Sequence, residues 1–169
     1  RLTVLLETDR INLRQLVEAR RPDMIGFYGD ARVMAIRKYG ARDPEAAGAA
    51  VDLALRHWKE HGFGLFTVHD RGSDEFMGEC GLRYLDDGSA VELSYGLFPR
   101  FQGRGLATEA ALTCLEFGLK TLRLPTIVAF SRSTNTASHR VLEKIDMNFT
   151  GREDRGTHGV VRYEIGRDE

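Results

Sequence analysis

The sequence predicts an α+β fold: one domain, residues 1–169, built on a mixed, mostly antiparallel sheet of about seven strands with helices on both faces. Three observations lead to this prediction. Seven β-rich runs are bounded by Gly, Asp and Ser, segments with helical spacing of apolar residues separate several of them, and short turn sequences join others. A length of 169 residues suits one domain with one sizeable core.

Seven strands are predicted. They are residues 9–16, 63–70, 75–85, 91–97, 126–131, 147–154 and 159–165. Residues 70–74 and 86–89 contain the Asp, Gly and Ser that are typical of hairpin turns. These turns predict that the second, third and fourth strands form an antiparallel meander.

The predicted helices are residues 17–28, 30–38, 43–61, 107–120 and 136–145. In the third, an apolar residue recurs at helical spacing from Ala47 to Trp58, and Asp43 followed by Pro44 is typical of a helix start. His57 and His61 are four residues apart, a spacing that could hold a metal. No third ligand accompanies them, so we predict no metal site and interpret the pair as a solvated helix face.

The composition is that of an ordinary soluble globular protein, with 42% hydrophobic and 29% charged residues. A net charge of −1 gives no support for a nucleic-acid partner, and no apolar run approaches the ~20 residues that a membrane-spanning helix needs. The first residues become acidic too soon for a signal peptide. Cys80 and Cys114 form no CxxC motif, which favours reduced thiols in a cytoplasmic protein.

Residues 100–105, here called the glycine loop, carry the strongest functional signal. A predicted strand precedes the loop, Gly103 and Gly105 punctuate it, and a predicted helix follows it. The first N–H groups of a helix have no intrahelical partner and lie at the positive end of its dipole. Glycine lets a phosphate approach the backbone, and Arg100 and Arg104 add positive charge. We therefore interpret the loop as a pyrophosphate site.

Two familiar nucleotide-binding motifs do not fit this loop. A P-loop needs Lys-Ser or Lys-Thr after its last glycine, where this chain has Leu106 and Ala107. The run from Gly103 to Ala107 is one residue short of the Rossmann spacing, and no acid is suitably placed after a second parallel strand.

The remaining pattern, Arg/Gln-x-x-Gly-x-Gly, resembles the acetyl-CoA loop of the GNAT superfamily of N-acyltransferases, with Arg100, Gly103 and Gly105 in matching positions. Residues 135–147, NTASHRVLEKIDM, resemble a segment of the GNAT branch that contains the ribosomal-protein serine and alanine N-terminal acetyltransferases. Two further blocks, LETDRINLR at the start and FMGECGL in the third predicted strand, resemble the same branch. Asp146 replaces the Gly usual there, at a position that often needs left-handed backbone.

This resemblance implies that the strands 91–97 and 126–131 splay apart to hold acetyl-CoA as a cosubstrate. It implies transfer of the acetyl group to a primary amine, either a protein N-terminal α-amine or a small-molecule amine, by direct attack in a ternary complex. The cofactor-binding residues that follow from the resemblance are Leu97, Arg100, Gln102, Gly103, Arg104, Gly105, Leu106, Ala107, Thr108, Asn135 and Ser138.

The resemblance also implies catalytic roles. Glu92 is the candidate general base, since apolar strand neighbours disfavour its charged form, while a surface or helix-bonding role is an equally weighted alternative. The N–H of Leu97 or its neighbour is the expected oxyanion donor. Ser138 either contacts the cofactor, which we favour, or protonates the departing thiolate. Asn135 either binds the pantetheine arm or caps a helix, and Tyr95 is expected to pack.

The acceptor site is the least determined part. The candidate residues are Phe27, Tyr28 and Tyr84, with Met34, Arg155 and His158 as further candidates. Each could equally be a core or a surface residue, and the scarcity of acids among them slightly disfavours polyamines and aminoglycosides. A monomer and a homodimer both remain open. The main alternative function is a non-catalytic acyl-CoA-binding module of the same fold, and a third is a nucleotide-phosphate binder.

Overall fold

The computed structural model describes residues 2–37, 39–156 and 158–167. The strands are β1 (Leu5–Glu7), β2 (Ile11–Gln15), β3 (Leu65–Asp70), β4 (Phe76–Tyr84), β5 (Val91–Leu97), β6 (Thr126–Arg132), β7 (Asn148–Arg155) and β8 (His158–Gly166). The helices are α1 (Arg21–Tyr28), α2 (Ala31–Met34), α3 (Pro44–His61), α4 (Leu106–Glu116) and α5 (Thr136–Lys144). Short 3-10 turns lie at Glu18–Arg20 and Pro99–Phe101, and a π turn, Phe117–Thr121, ends α4.

The strands form one sheet in the order β1-β2-β3-β4-β5-β6-β8-β7. Among the described strands only β5 and β6 are parallel, and the other neighbours are antiparallel, which confirms the predicted mixed, mostly antiparallel sheet. The predicted hairpin turns are also present. The Asp70 side chain accepts the N–H groups of Gly72 and Ser73 at 2.9 and 2.8 Å, and Asp87 accepts that of Ser89 at 2.9 Å.

Helices cover both faces of the sheet, as predicted. Successive strand residues point to opposite faces, so Glu79 and Leu82 of β4 lie on different sides. On one side Tyr28 of α1 donates to Glu79 Oε2 at 2.7 Å, and we call this the α1 face. On the other side Leu82 packs below the turn that ends α4, where a Cβ on Gly118 would lie 2.8 Å from Leu82 Cδ1. We call this second side the α4 face.

The N-terminal part of the chain differs from the prediction. Strand β1 was not predicted, and it adds a short edge strand to the seven expected. The helix predicted over 17–28 begins only at Arg21, because Pro22 occupies its first turn and residues 18–20 form a 3-10 turn. The helix predicted over 30–38 is one turn, since Arg37 N–H bonds the carbonyl of Met34 and the α-helical ladder stops. Its predicted end, Lys38, lies outside the described residues.

Several local predictions are confirmed. Asp43 caps α3 by accepting the Ala46 N–H at 2.8 Å, and Gly62 ends the helix with a left-handed φ of 75°. Asp146 is also left-handed, with a φ of 65°, so it tolerates the position at which the related branch has Gly. Within the described ranges, no helix combines the length and apolarity that a membrane crossing requires.

Candidate active site

Strands β5 and β6 diverge. Only Val91 and Glu92, at the start of β5, have ladder partners on β6 among the described residues. Beyond them β5 continues against β4 as far as Leu97, and β6 continues against β8 as far as Arg132. The carboxyl halves of the two strands therefore enclose an open gap, as the family resemblance implies.

The backbone of Leu97 faces this gap. The next residue, Phe98, donates its N–H to the carbonyl of Met77 on the β4 side at 3.0 Å. Because alternate residues of a strand direct their N–H groups to opposite edges, the Leu97 N–H points away from β4 and into the gap. The Leu97 carbonyl accepts Gln102 Nε2 at 3.0 Å, so the glycine loop is held at the mouth of the gap.

The glycine loop presents free backbone donors at this mouth. Gly103 and Gly105 have φ values of 76° and 77°, which glycine adopts without steric cost, and Gly105 directly precedes α4 without a side-chain cap. The Glu109 N–H makes the first bond of the helix, to the Gly105 carbonyl at 3.1 Å. Within the described chain, the amides of residues 103–108 donate to no protein acceptor. These amides and the helix dipole make a site for an anion.

The arginine side chains of the loop are placed differently from its amides. Arg100 Nη2 lies 3.0 Å from Glu75 Oε2, and its guanidinium lies over the Phe101 ring at 4.5 Å. The Arg104 carbonyl accepts Arg10 Nη1 at 2.8 Å. Arg100 therefore already has a partner, and its contact with phosphate remains a prediction, as does that of Arg104.

The sequence analysis missed a cluster behind the loop, formed by Thr8, Arg10 and Glu109. Arg10 Nε and Nη2 both lie 2.8 Å from Glu109 Oε1, and the Thr8 hydroxyl donates to Glu109 Oε2. Burial alone would raise the pKa of Glu109, but the hydrogen bonds from Thr8 and Arg10 outweigh it and lower that pKa below its usual value. A signal was available, because Thr8 and Arg10 belong to the LETDRINLR block.

Glu92 lies on the α1 face of β5. Its strand partner on β4 is Arg83, whose Nη2 lies 3.4 Å from Glu92 Oε1, and the Glu92 side chain is 16% exposed. Gly96 lies on the same face four residues along the strand, roughly 13 Å away. The carboxylate is thus near the closed end of the gap and accessible to water.

Tyr95 and Ser138 meet on the α4 face. The Tyr95 hydroxyl lies 2.8 Å from Ser138 Oγ on α5, and Ser138 N–H donates to the Asn135 side chain at 3.2 Å. Asn135 therefore caps α5, the structural role among its two alternatives. Burial raises the pKa of Tyr95 above its ordinary value, so its hydroxyl keeps its proton at neutral pH. The prediction that Tyr95 only packs missed this contact, since the two residues are 43 positions apart.

A buried ionic network lies beside Gly96 on the α1 face. Glu79 is 2% exposed, accepts the Tyr28 hydroxyl at 2.7 Å and pairs with Arg37 Nη2 at 2.5 Å. A Cβ on Gly96 would lie 2.3 Å from Arg37 Nη1, so the guanidinium rests directly on the strand. Sequence analysis did not identify Arg37 or Glu79 as site residues.

The predicted acceptor residues do not form one exposed surface. Phe27 is fully buried and Tyr28 is 7% exposed, because the first packs on Phe98 and the second binds Glu79; burial argues against substrate contact by either ring. Tyr84 is six residues along β4 from Gly78, roughly 20 Å from the open end of the gap. Of the further candidates, Met34 is buried, Arg155 stacks on Phe130, and His158 pairs with Arg155 across the last hairpin.

His57 has a structural role. Its Nδ1 lies 2.8 Å from the Phe63 carbonyl, and its Nε2 accepts the Tyr84 N–H at 3.0 Å. Since a backbone N–H can only donate, Nε2 carries no proton and Nδ1 is the donor. The interpretation of His57 as part of a solvated face is therefore wrong. Across the described residues, no three His, Cys, Asp or Glu side chains are grouped to hold a metal ion.

A gap beside a glycine loop that opens a helix is the arrangement that the acetyl-CoA resemblance predicted. The family model for the acetyltransferase (GNAT) domain matches residues 10–148 of the chain. The chain belongs to the GNAT acetyltransferase family. Acetyl transfer is the general activity of this family, and its fold binds acetyl-CoA.

Known proteins are consistent with this assignment. The GNAT chain is 30% identical over 162 residues to the uncharacterized protein YkkB of Bacillus subtilis, covering 94% of each chain. It is 38% identical over 146 residues to the uncharacterized N-acetyltransferase YnaD of Bacillus subtilis, covering 86% of this chain and 84% of that one. The solved structure of RimL, a ribosomal L7/L12 alpha-N-protein acetyltransferase in complex with coenzyme A, shares the fold, with a TM-score of 0.83, 15% identity and coverage of 96% and 98%.

Proposed function

We propose that this GNAT protein transfers the acetyl group of acetyl-CoA to a primary amine by direct attack in a ternary complex. One observation carries the proposal: the gap between β5 and β6 opens at the free amides of the glycine loop. A pyrophosphate at those amides would direct a pantetheine arm into the gap, along the unpaired edge of β5. The Leu97 N–H then faces the thioester end of the cosubstrate as the oxyanion donor.

The amine approaches from the α1 face, where Glu92 accepts its proton. Glu92 is roughly 13 Å along the strand from Gly96, so the proton travels through ordered water. The need for a base depends on the acceptor. An α-amine has a pKa of about 7.7–8.0 and is partly neutral at physiological pH, whereas a lysine ε-amine, at about 10.4, is almost fully protonated.

The departing thiolate takes its proton on the α4 face. Tyr95 and Ser138 share a hydrogen bond there, and the Tyr95 hydroxyl is protonated at neutral pH. The pair supplies a donor on the face opposite to the base, so proton removal and proton delivery do not compete for one group. This arrangement gives Ser138 the proton-donating role that the sequence analysis ranked second.

The acceptor is a primary amine on a protein N-terminus or on a small molecule. The α1 face offers it Glu92 and the Arg37 side chain, whose guanidinium packs against Gly96. The description of RimL as an alpha-N-protein acetyltransferase supports testing peptide N-termini first.

A thermal-shift titration with acetyl-CoA, CoA, ATP and NAD tests the proposal at its first step. A ligand that binds only the folded state raises the melting temperature, so the two CoA ligands should raise it and ATP and NAD should not. Thiol release is then followed with α-amines, lysine ε-amines and polyamines as acceptors. Absence of a shift with either CoA ligand, in folded protein free of bound cofactor, would refute the proposal. CoA binding without turnover of any amine would favour the acyl-CoA-binding module.

A further inference from the structure

The Arg104–Gly105 peptide is the last peptide of the glycine loop before α4, and a distant side chain determines its orientation. Arg10, just before β2, donates from Nη1 to the Arg104 carbonyl at 2.8 Å. A trans peptide directs its C=O and the following N–H in opposite directions, and no described peptide bond is cis. The Gly105 N–H therefore points away from Arg10, towards the side on which the loop amides are free.

This orientation needs support, because turning the peptide over changes only the ψ of Arg104 and the φ of Gly105, and glycine adopts either sign of φ. Gly105 has a φ of 77°, and glycine moves between positive and negative φ at little cost. If the peptide turned over, the Arg104 carbonyl would replace the Gly105 N–H at the anion site. A carbonyl oxygen repels a phosphate, so the turned loop would lose a donor and gain an acceptor there.

Arg10 is itself held in place. Its Nε and Nη2 lie 2.8 Å from Glu109 Oε1, and the Thr8 hydroxyl donates to the other oxygen of that carboxylate. Glu109 stands in the first turn of α4, so the guanidinium connects the loop to the helix that follows it. The ion pair neutralises the charge of Arg10, so its effect on a phosphate comes from orientation of the peptide rather than from its own charge.

We propose that Arg10 is a positioning residue for the cosubstrate: with Glu109 as its anchor, it fixes the Arg104–Gly105 peptide so that the Gly105 N–H faces the pyrophosphate. The inference rests on the proposed function, since it assumes that the loop binds CoA. It also assigns a role to Thr8 and Arg10 of the block LETDRINLR, which the proposed chemistry does not otherwise use.

The test compares two acetyl donors in the intact chain. Acetyl-CoA carries the pyrophosphate, whereas S-acetyl-pantetheine lacks it and makes no use of the glycine loop. Arg10→Ala should raise the Kd for CoA and the KM for acetyl-CoA about tenfold, because the charge-assisted hydrogen bond from the Gly105 N–H to the phosphate is lost. The kcat for acetyl-CoA should change little. The kcat/KM for S-acetyl-pantetheine should stay at the wild-type value. A merely structural role would lower activity with both donors alike.

Matched variants complete the experiment. Arg14 lies on β2 and pairs with Asp74 at the surface, so Arg14→Ala removes a comparable ion pair and should leave the Kd for CoA unchanged. Arg10→Lys keeps a charge for Glu109 but cannot also reach the Arg104 carbonyl, so it should restore the melting temperature and not the CoA affinity. This variant keeps the test decisive if Arg10→Ala does not fold.

The outcomes separate the two proposals. Wild-type protein that fails to bind CoA overturns the proposed function. Wild-type protein that binds CoA, together with Arg10→Ala or Arg10→Lys protein that binds it equally well, overturns the positioning role alone. Equal losses with acetyl-CoA and S-acetyl-pantetheine overturn it too, since they indicate general damage to the fold.

Discussion

The hydroxyl of Tyr95 lies 2.8 Å from Ser138 Oγ, joining strand β5 to helix α5 across the open gap. Burial raises the pKa of Tyr95 above its ordinary value, so its hydroxyl carries a proton at neutral pH. The pair lies on the α4 face, and Glu92 lies on the α1 face. This placement underlies the proposal that the two proton transfers of the reaction take place on opposite sides of the sheet.

Tyr95→Phe should lower kcat by roughly 100-fold, the lower end of the range for a lost general acid, and leave the Kd for CoA unchanged. Tyr84→Phe is the control, since Tyr84 lies on β4, roughly 20 Å from the open end of the gap. The defect should shrink with an acetyl thioester of a more acidic thiol, which leaves without protonation. A Tyr95→Phe enzyme with wild-type kcat would exclude the hydroxyl pair as the acid.

Glu92→Gln should abolish most turnover while CoA still binds, because the amide cannot accept the proton of the amine. The residual rate should rise with pH as the acceptor itself loses its proton, and this rise should extend to higher pH for an ε-amine than for an α-amine. Initial rates from pH 7 to 10 with both acceptors measure the effect. Glu116→Gln, which removes a surface carboxylate paired with Lys120, is the control. Equal pH profiles for wild type and Glu92→Gln would rule out a base at this position.

Local sequence signals predicted the parts of the fold that local chemistry determines. The Asp-rich turns and the capped helix α3 follow from side chains bonding to backbone within a few residues, and the left-handed Asp146 follows from the tolerance of Asp for that conformation. The position of the glycine loop also follows from local signals, since two glycines lie between a strand and a helix, whereas the orientation of its Arg104–Gly105 peptide does not. The short edge strand β1 was missed, since three residues carry too little periodicity to identify a strand.

Contacts between distant residues account for what sequence analysis missed in the site. Arg10 binds a carbonyl 94 positions away, and Tyr95 binds a serine 43 positions away, so neither partner follows from local spacing. Phe27 was expected at the acceptor site because aromatic residues suit both cores and binding surfaces. Only packing shows that its ring is fully buried.

The neutral state of His57 predicts a loss of stability in mild acid. Burial is the main cause of its lowered pKa, and Nε2 must stay unprotonated to accept the Tyr84 N–H. A lowered folded-state pKa means that the unfolded chain takes up the proton first. The contribution is therefore complete above about pH 6.5, the unfolded value, and is lost as pH falls through 6.5 towards the folded pKa. The buried His69 acts in the same direction.

Urea unfolding between pH 7.5 and 5.5 measures this dependence. Over that range, His57→Gln protein should lose less unfolding free energy than wild type. His69 accounts for part of the loss that persists in this variant. His61→Gln is the control, because His61 is the neighbouring imidazole on the exposed side of α3, 4.5 Å from His57 between ring centroids. An unchanged pH dependence in His57→Gln would contradict the assignment of a neutral, half-buried imidazole.

Gly103 allows a direct test of whether the pyrophosphate approaches the backbone of the glycine loop. Its φ is 76°, and no atom lies within 4 Å of the position that a Cβ would occupy, so Gly103→Ala meets no protein atom and incurs only the strain of a positive φ. Gly62, at the end of α3, has a φ of 75° and equally open surroundings. Both alanine variants should therefore lose similar stability, roughly 1–2 kcal/mol. Only the loop variant adds a methyl group where a phosphate would approach the chain.

We expect the Kd for CoA to rise about tenfold in Gly103→Ala and further in Gly103→Val, and to stay at the wild-type value in Gly62→Ala. Calorimetric titration gives the affinities, and thermal unfolding establishes that the two alanine variants are equally strained. Because strain is matched, a difference in affinity isolates the contact between ligand and backbone. Equal CoA affinity in Gly103→Val and wild type would mean that the pyrophosphate binds elsewhere, and the glycine loop would then be an ordinary turn between β5 and α4.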